Sequence, residues 1–426
     1  MRVATFILLF ASIRLSAQDM DRIINPSAVE GVEKILSADA MRGRATFTPD
    51  IERAADYIES QFRQAGLKTW NGSSSYRQPF SMITSKILSV SGNLDGTPLN
   101  ADNTLIITSS THLQADDQSG YEKGFIKAGD NLGTTAVKFL GEKKNYLVLV
   151  DTSFTKAFPR LHRLAGQQFK SDRNVIFLLT TAAATHFSIT VDQEVKESKL
   201  ANVVGILPGK SKKNEYVIFS GHYDHLGVGT PDAKGDSIYN GANDDASGTT
   251  AVILLARYFS TLKNNERTLV FAAFTAEEIG EYGSQYFSSQ FEPAAVMAMF
   301  NIEMIGSASK WGNHSAFITG YERTDMAKIL EKNLAGSGFT FYPDPYPEQQ
   351  LFYRSDNASL ARKGVPAHTI STTQIDIDKT YHTPADEIGT LDMTNMASII
   401  RAIAISSRTI VEGKDTPSRV DASQLR

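Results

Sequence analysis

The sequence predicts an α/β fold in which a mostly parallel sheet lies between layers of helices, with a smaller domain of mixed β structure inserted into it. Apolar runs at 217–219 and 269–274 end just before clusters of polar residues. The segment between them, 246–262, has the spacing of an amphipathic helix. By contrast, helical periodicity fades between residues 85 and 200. Strand, acidic loop and helix in alternation are typical of a parallel sheet that carries its functional residues at the carboxyl ends of the strands.

Residues 1–17 are predicted to be an export signal. Arg2 supplies a positive end, residues 3–13 are apolar, and Leu15-Ser16-Ala17 offers small residues for cleavage. An ordinary buried N-terminal helix is the alternative. With the signal, the mature protein is expected to be exported to the periplasm or secreted.

Residues 18–84 and 201–415 are predicted to form the main, catalytic domain. Its elements include helices near 28–36 and 50–65, a strand at 296–302 and a long closing helix at 393–411. A basic segment, Met41–Arg44, is expected to be a solvated turn, with substrate contact as the alternative. Residues 416–426 are expected to form a flexible tail.

The insert, residues 85–200, contains short β-prone runs separated by turn-rich stretches. Its histidines, His112, His162 and His186, have no acidic neighbours at the spacing of metal ligands. We therefore expect ordinary polar histidines there, and no metal ligand from the insert.

Composition narrows the possible partners and cofactors. The chain has 426 residues, of which 41% are hydrophobic, enough for a packed core. Its net charge is −4, so nothing indicates binding to nucleic acid or to an anionic membrane. No later segment has the length of a membrane span. Because cysteine is absent, a metal ion would have to be held by histidine, aspartate and glutamate.

Six such residues follow predicted strands or lie in the loops after them. A hydrolytic two-metal site needs a carboxylate that bridges two cations about 3.5–4 Å apart, ligands on each side and a free base for the attacking water. The adjacent glutamates after 269–274 fit two of these parts, because successive side chains diverge and one can bind metal while the other faces the substrate. The six candidates are His222, Asp244, Glu277, Glu278, Glu303 and His382.

The motifs SGHYDHLG, NGANDDASGT, FTAEE, NIEMIG and YHTP, in this order, resemble those of the exported di-zinc aminopeptidase family that also contains glutamate carboxypeptidase II and the glutaminyl cyclases. The resemblance covers residues 200–412 and implies two zinc ions per chain. It implies that His222 and Glu303 bind one ion, that Glu278 and His382 bind the other, and that Asp244 bridges them. The insert resembles, in position, the protease-associated domain of many members.

The same resemblance assigns three further roles. Glu277 is the general base on the bridging water, Asp224 orients His222 by accepting its other ring proton, and Tyr381 donates to the oxyanion. The chain departs from the pattern at Glu303, where many relatives have aspartate. It also has Asp356 in an SDN sequence where relatives often have SDH, so a supporting role for Asp356 stays open.

Nearby residues of the same types receive ordinary interpretations. Asp245 is expected to cap the helix that begins near residue 246. His225 is expected to be a loop histidine, His314 a surface histidine and His368 part of the core.

An exopeptidase, most simply an aminopeptidase that acts on peptides, is the function expected from these residues and the resemblance. A glutaminyl cyclase-like transferase and a non-catalytic binding protein on the same fold are the alternatives. Serine hydrolase chemistry is disfavoured, because no G-x-S-x-G motif stands at a strand-to-helix turn. The sequence leaves the side-chain preference and the oligomeric state open.

Overall fold

A computed structural model describes residues 20–180 and 186–425 of the chain. The predicted export signal lies outside the described residues, so export stays a prediction. The chain forms two compact units. The first runs from the first described residue to Pro79 and continues from Ala201, and the second is Phe80–Leu200. Within the described ranges, no helix combines the length and hydropathy needed to cross a bilayer.

The first unit is built on a twisted sheet whose four central neighbours are parallel. These central strands are, in spatial order, Ala367–Ser371, Val296–Ile302, Lys212–His222 and Arg267–Phe274. The outer strands are Thr340–Pro343 and Ser315–Ile318 on one side, and on the other the end of Phe187–Leu207 with Lys68–Thr69. The predicted α/β class with a mostly parallel sheet is therefore confirmed.

Both faces of this sheet are covered, which explains why its strands are almost continuously apolar. Val217 and Phe219 point to one hydrophobic cluster, and Ile218 between them points to another, as the two-residue period of a strand requires. The α-helices of this unit within the described residues include Pro26–Leu36, Pro49–Gln64, Ser247–Leu262, Tyr282–Ser288, Met326–Leu334, Asn357–Ala361, Met393–Ser406 and Arg408–Val411.

Two expectations for the C-terminal part need correction. The predicted closing helix at 393–411 is divided at Ser407 into two helices. The expected flexible tail is held in place over much of its length. Arg419 donates to the carbonyls of Val296 and Pro293, and the Ser418 amide donates to Asp325. The carbonyls of Val296 and Pro293 and the carboxylate of Asp325 accept these hydrogen bonds.

The second unit contains a four-stranded mixed sheet in the order Thr104–Ile107, Val175–Leu179, Tyr146–Val150 and Glu122–Ile126, with the helix Leu132–Gly141. Further strands are Thr97–Pro98, His112–Asp116 and Gln168–Phe169. The chain enters this unit in Arg77–Leu94 and leaves it in Phe187–Leu207. The unit begins at Phe80 rather than at residue 85, and its likeness to a protease-associated domain stays a prediction.

Candidate metal centre

The candidate site lies at the carboxyl edge of the central parallel strands. His222 is the last residue of its strand. Glu303 directly follows one of the two strands beside it, and Glu277 and Glu278 lie in the turn after the other. Parallel neighbours end at the same edge, so these side chains come together although they are far apart in sequence. The turn before the helix Ser247–Leu262 and the loop after Ala367–Ser371 add Asp244 and His382.

Asp244 lies between the two histidines. Its Oδ1 is 3.2 Å from Nε2 of His222, and its Oδ2 is 3.2 Å from Nε2 of His382. Each histidine has a second carboxylate close by. Glu303 Oε1 is 3.3 Å from His222, and Glu278 Oε2 is 3.2 Å from His382. The five residues predicted to be ligands are thus brought together with Asp244 at the centre, one oxygen facing each His–Glu pair.

Glu277, the predicted base, lies beside this cluster, with Oε2 3.9 Å from Nε2 of His222. Burial raises the pKa of Glu277 well above its ordinary value, and the negative charges of Glu303 and Asp356 act in the same direction against His222. A carboxylate whose basicity is raised in this way is suited to accept a proton from water.

The electrostatics of the cluster favour bound cations. Burial opposes ionisation of Asp244, yet hydrogen bonds to His222 and His382 hold its pKa below the ordinary value. Against the effect of burial, contacts with Asp244 and Glu278 raise the pKa of His382 to about 10. Asp244, Glu277, Glu278 and Glu303 line one cavity together with His382. So many carboxylates in a partly dehydrated site need compensating positive charge.

The donor atoms also fit a metal ion chemically. Two groups, His222–Asp244–Glu303 and His225–Asp244–Glu278, each present ligand atoms within 4.8 Å of one another, and the second contains His225 in place of the predicted ligand His382. Imidazole nitrogens with carboxylate oxygens form a ligand set that zinc accepts. Both groups include Asp244, as two ions with a shared carboxylate would require.

Asp224 is close to the predicted place, but its carboxylate acts differently from the prediction. Its Oδ1 is 3.8 Å from Nδ1 of His222, whereas the backbone carbonyl of Asp224 is at 3.1 Å. The carboxylate instead accepts from the amides of Glu277 and Glu278 and from Thr46. The turn after the strand presents two free amides, which draw the carboxylate away from the ring. Asp224 therefore holds the backbone of the glutamate pair.

Tyr381 lines the cavity, and its ring stacks on His382 with centroids 3.9 Å apart. Burial, with Asp244 and Glu278 nearby, raises the pKa of the Tyr381 phenol above its ordinary value. The phenol therefore stays protonated and can donate a hydrogen bond. Its role toward an oxyanion stays a prediction.

His225 was misjudged from the sequence as an ordinary loop histidine. It is 2% exposed, and its Nδ1 lies 2.7 Å from Oε1 of Glu278. The bond fixes one oxygen of Glu278 while the other faces His382. The only sequence signal was the position of His225 three residues after His222, within SGHYDHLG.

Three other polar residues support the ligands. Asp245 accepts from the amide of Gly248 at the start of the helix, as a cap does, and also from His222 and Met304. Asp386 accepts from the amides of Asn243 and Asp244, and Ser355 donates to Oε2 of Glu303 at 2.7 Å. Asp386 and Ser355 were missed, because isolated polar residues in loops carry no pattern.

The remaining histidines of the first unit match their ordinary interpretations. His368 is buried between Thr324 and the Thr319 carbonyl, and burial lowers its pKa to about 4. His314 is exposed beside Ser398.

Asp356, for which a supporting role stayed open, is buried. Burial raises the pKa of Asp356 well above its ordinary value, and its charge raises the pKa of Glu277.

Comparison with known proteins agrees with this geometry. Residues 202–406 match the model of Peptidase family M28. Over these residues, just under half of the chain, the protein is similar to peptidase family M28. A "Probable zinc metalloprotease" of Pyrenophora tritici-repentis is 36% identical over 147 residues, which are 33% of this chain and 33% of that protein. "Leucine aminopeptidase 1" of Sclerotinia sclerotiorum is 26% identical over 46% of this chain and 52% of that protein.

The chain thus spans a third to a half of the length of these two relatives. Among solved structures, an aminopeptidase from Aneurinibacillus sp. strain AM-1 is similar over 92% of this chain and 95% of that chain, with a TM-score of 0.54 and 19% identity. At that identity the likeness concerns the fold. The family match and the fold both agree with the resemblance drawn from the five motifs.

Proposed function

We propose that this chain is a zinc-dependent aminopeptidase that binds two zinc ions and hydrolyses the N-terminal residue from peptides. The observation that carries the proposal is the position of Asp244, with one carboxylate oxygen 3.2 Å from His222 and the other 3.2 Å from His382. In the proposed assignment Glu303 completes one side and Glu278 the other. The names of the two relatives, a zinc metalloprotease and a leucine aminopeptidase, support the same reading.

In this mechanism the protein's own residues position the reactants and move the protons. Zinc, when bound, supplies Lewis acidity that polarises the scissile carbonyl and lowers the pKa of the attacking water. Glu277 takes the proton of that water and returns it to the leaving amine. Tyr381, at the cavity wall, donates to the oxygen of the carbonyl as it gains charge.

The cavity in front of these residues has an apolar side suited to a side chain. Phe317, Leu351 and Ile375 contribute to its wall beside the carboxylates. The acidic groups can pair with a free N-terminal ammonium, and the apolar wall can accept the first side chain of the substrate. A free amino terminus is therefore expected to be a requirement of the substrate.

Metal analysis combined with paired substrates tests the proposal. The purified chain should hold two zinc ions at saturation, lose turnover of aminoacyl chromogenic substrates after chelation, and regain it with zinc. The matched Nα-acetylated substrates should not be cleaved.

Equal cleavage of free and acetylated substrates would contradict the aminopeptidase assignment. A single bound ion at saturation, with cyclisation of N-terminal glutamine, would favour the transferase. Zinc binding without any turnover would favour a binding protein.

A further inference from the structure

Arg44 occupies an unusual place for an arginine. The sequence predicted a solvated turn at Met41–Arg44, but the Arg44 side chain is 0% exposed. Its Nε donates to the carbonyl of Tyr223 at 2.8 Å, and Nη2 donates to that of Gly241 at 2.9 Å. Nη1 donates to the carbonyls of Leu36 and Asn240, each at 2.6 Å. For Arg44 the substrate-contact alternative is also set aside, because its guanidinium is enclosed by backbone.

Three of these four carbonyls belong to the segments that carry two of the proposed ligands. Tyr223 lies directly after His222, and Asn240 and Gly241 begin the loop that leads to Asp244. Leu36 ends the helix Pro26–Leu36. One planar guanidinium thus ties the strand end at His222 to the loop at Asp244 and anchors both to the helix Pro26–Leu36. The five N–H donors of arginine are held in a rigid fork, a geometry that lysine cannot reproduce.

The backbone at residues 42–44 has an unusual conformation that directs the Arg44 side chain into the interior. Arg42, Gly43 and Arg44 all have positive φ, at 49°, 66° and 49°. A Cβ on Gly43 would lie 2.4 Å from the carbonyl oxygen of Tyr239 and 2.5 Å from that of Gly227, so glycine is required there. Successive residues in this strained region persist only where the surrounding structure over-determines them. The strain coincides with the point at which Arg44 enters the interior.

The charge of Arg44 also faces the acidic site. Burial lowers the pKa of the Arg44 guanidinium, and the nearby Glu33, Asp386, Asp224 and Asp244 oppose that effect. Among the described residues, its four hydrogen-bond partners are all backbone carbonyl oxygens. The positive charge therefore remains available to reduce the repulsion among the carboxylates at the site.

We propose that Arg44 is a positioning residue that sets metal affinity by holding the His222 strand end and the Asp244 loop at a fixed separation. The inference rests on the proposed function for the identity of the ion, zinc. Arg44 is not one of the six candidate residues, but by this inference it helps to hold the ligands in the geometry that a metal site requires.

Arg267 offers a matched control in the same unit. It is also buried, at 1% exposure, and it donates to the carbonyls of Ile410 and Asp415 and to Glu215. Arg267 begins the strand whose far end precedes Glu277, so roughly 20 Å of strand separates it from the site. A lysine at either position removes the fork of a buried guanidinium, but only Arg44→Lys should disturb the ligands.

The experiment measures the zinc Kd by competition with a chelating dye, on protein shown by circular dichroism to be folded at the assay temperature. Arg44→Lys and Arg267→Lys should both lower Tm. Arg44→Lys should raise the zinc Kd at least about 10-fold, the scale seen when groups that orient metal ligands are lost, and Arg267→Lys should leave it within about 3-fold. A Kd for Arg44→Lys equal to that of Arg267→Lys would overturn the inference and leave the proposed function intact.

A second variant covers the case in which Arg44→Lys does not fold. The Asn240 side chain donates to the Ser37 carbonyl and to Asp39, which anchors the same loop without a buried charge. Asn240→Ala should raise the zinc Kd by about 3-fold or more, and an unchanged Kd would overturn the inference. Absence of zinc binding by the unmodified chain would overturn both this inference and the proposed function.

Discussion

Histidines lie beside carboxylates in both units of the molecule, but in different ways. In the second unit, Nδ1 of His112 is 2.7 Å from Asp192, and both side chains are half exposed. In the first unit, His222 is 1% exposed and has Asp244, Glu303 and Glu277 at 3.2–3.9 Å. The shorter single contact is the one in the second unit. Proximity of a histidine to one acid therefore does not distinguish a candidate metal site.

The difference follows from the sheets. His112 and Asp192 stand directly opposite each other on antiparallel strands, so they form one pair with solvent on the open side. His222 ends a strand with a parallel neighbour on each side, and the loops after these strands add carboxylates from both directions. Because several carboxylates meet at His222 and are buried, water cannot balance their negative charge. The pair in the second unit has no such excess.

The largest effect is expected from Glu277, the one carboxylate of the cluster proposed to stay free of metal. Glu277→Gln should lower kcat at least about 100-fold, because the amide cannot accept the proton of the attacking water. Zinc content, measured by elemental analysis, should stay at the wild-type level. The exposed Glu292→Gln provides the control for the substitution itself. Turnover within a few-fold of wild type would remove Glu277 from the role of base.

The two sides of Asp244 should separate in metal binding. Glu303→Ala should weaken the ion next to His222, and Glu278→Gln the ion next to His382, each by about 10- to 100-fold in Kd. The other ion should stay bound in each case, which titration with zinc by calorimetry would resolve as one remaining high-affinity step. If Glu303→Ala retained both ions at wild-type affinity, Glu303 would not be a ligand.

Ser355→Ala sharpens the test of Glu303. The Ser355 hydroxyl donates a hydrogen bond to Oε2 of Glu303, while Oε1 of Glu303 faces His222. Loss of that hydroxyl should weaken the same ion as Glu303→Ala, but by less, because the carboxylate itself remains.

The parts of the site that follow strand ends could be predicted from the sequence. Apolar runs mark the strands, and polar residues just after them mark the edge, so His222, Glu277, Glu278 and Glu303 were found before the structure. Arg44 could not be found in this way. Its partners Tyr223, Asn240 and Gly241 are 179 to 197 residues away, and they take part through backbone carbonyls, which no side-chain pattern records.

The orientation of side chains within loops also could not be predicted from the sequence. Asp224 was correctly placed near the site, but its carboxylate turns to the amides of Glu277 and Glu278 rather than to the His222 ring. That choice depends on which amides the following turn leaves free. His225 was misjudged for the same reason, because its burial depends on how the loop folds back onto Glu278.

Glu33 is a further buried acid of the first unit, and it lies far in sequence from the proposed metal ligands. Burial raises its pKa from the ordinary 4.5 to about 8. Between these pH values the native state holds the proton more tightly than the unfolded state, so the free energy of unfolding falls as pH rises. Glu33→Gln should remove this contribution, which at roughly 1.4 kcal/mol per pKa unit amounts to several kcal/mol at most.

Urea unfolding of both proteins at pH 5.5, 7 and 8.5 measures the difference. The stability of Glu33→Gln relative to wild type should rise with pH across this range. Glu30→Gln, on the same helix but partly exposed and paired with Lys34, is the control and should show no such trend. A relative stability of Glu33→Gln that is independent of pH would mean that Glu33 is ionised in the native state.

The smallest effect is expected in the second unit, and it tests the contrast most directly. His112→Ala and His186→Ala each remove one histidine from an exposed pair with a single aspartate, Asp192 or Asp117. Solvent replaces the lost partner at little cost, so Tm should shift by no more than about 1 °C and kcat should not change. Zinc stoichiometry should remain that of wild type. Loss of an ion in either variant would show that a single exposed His–Asp pair suffices for binding, and convergence of buried carboxylates would no longer separate the two kinds of site.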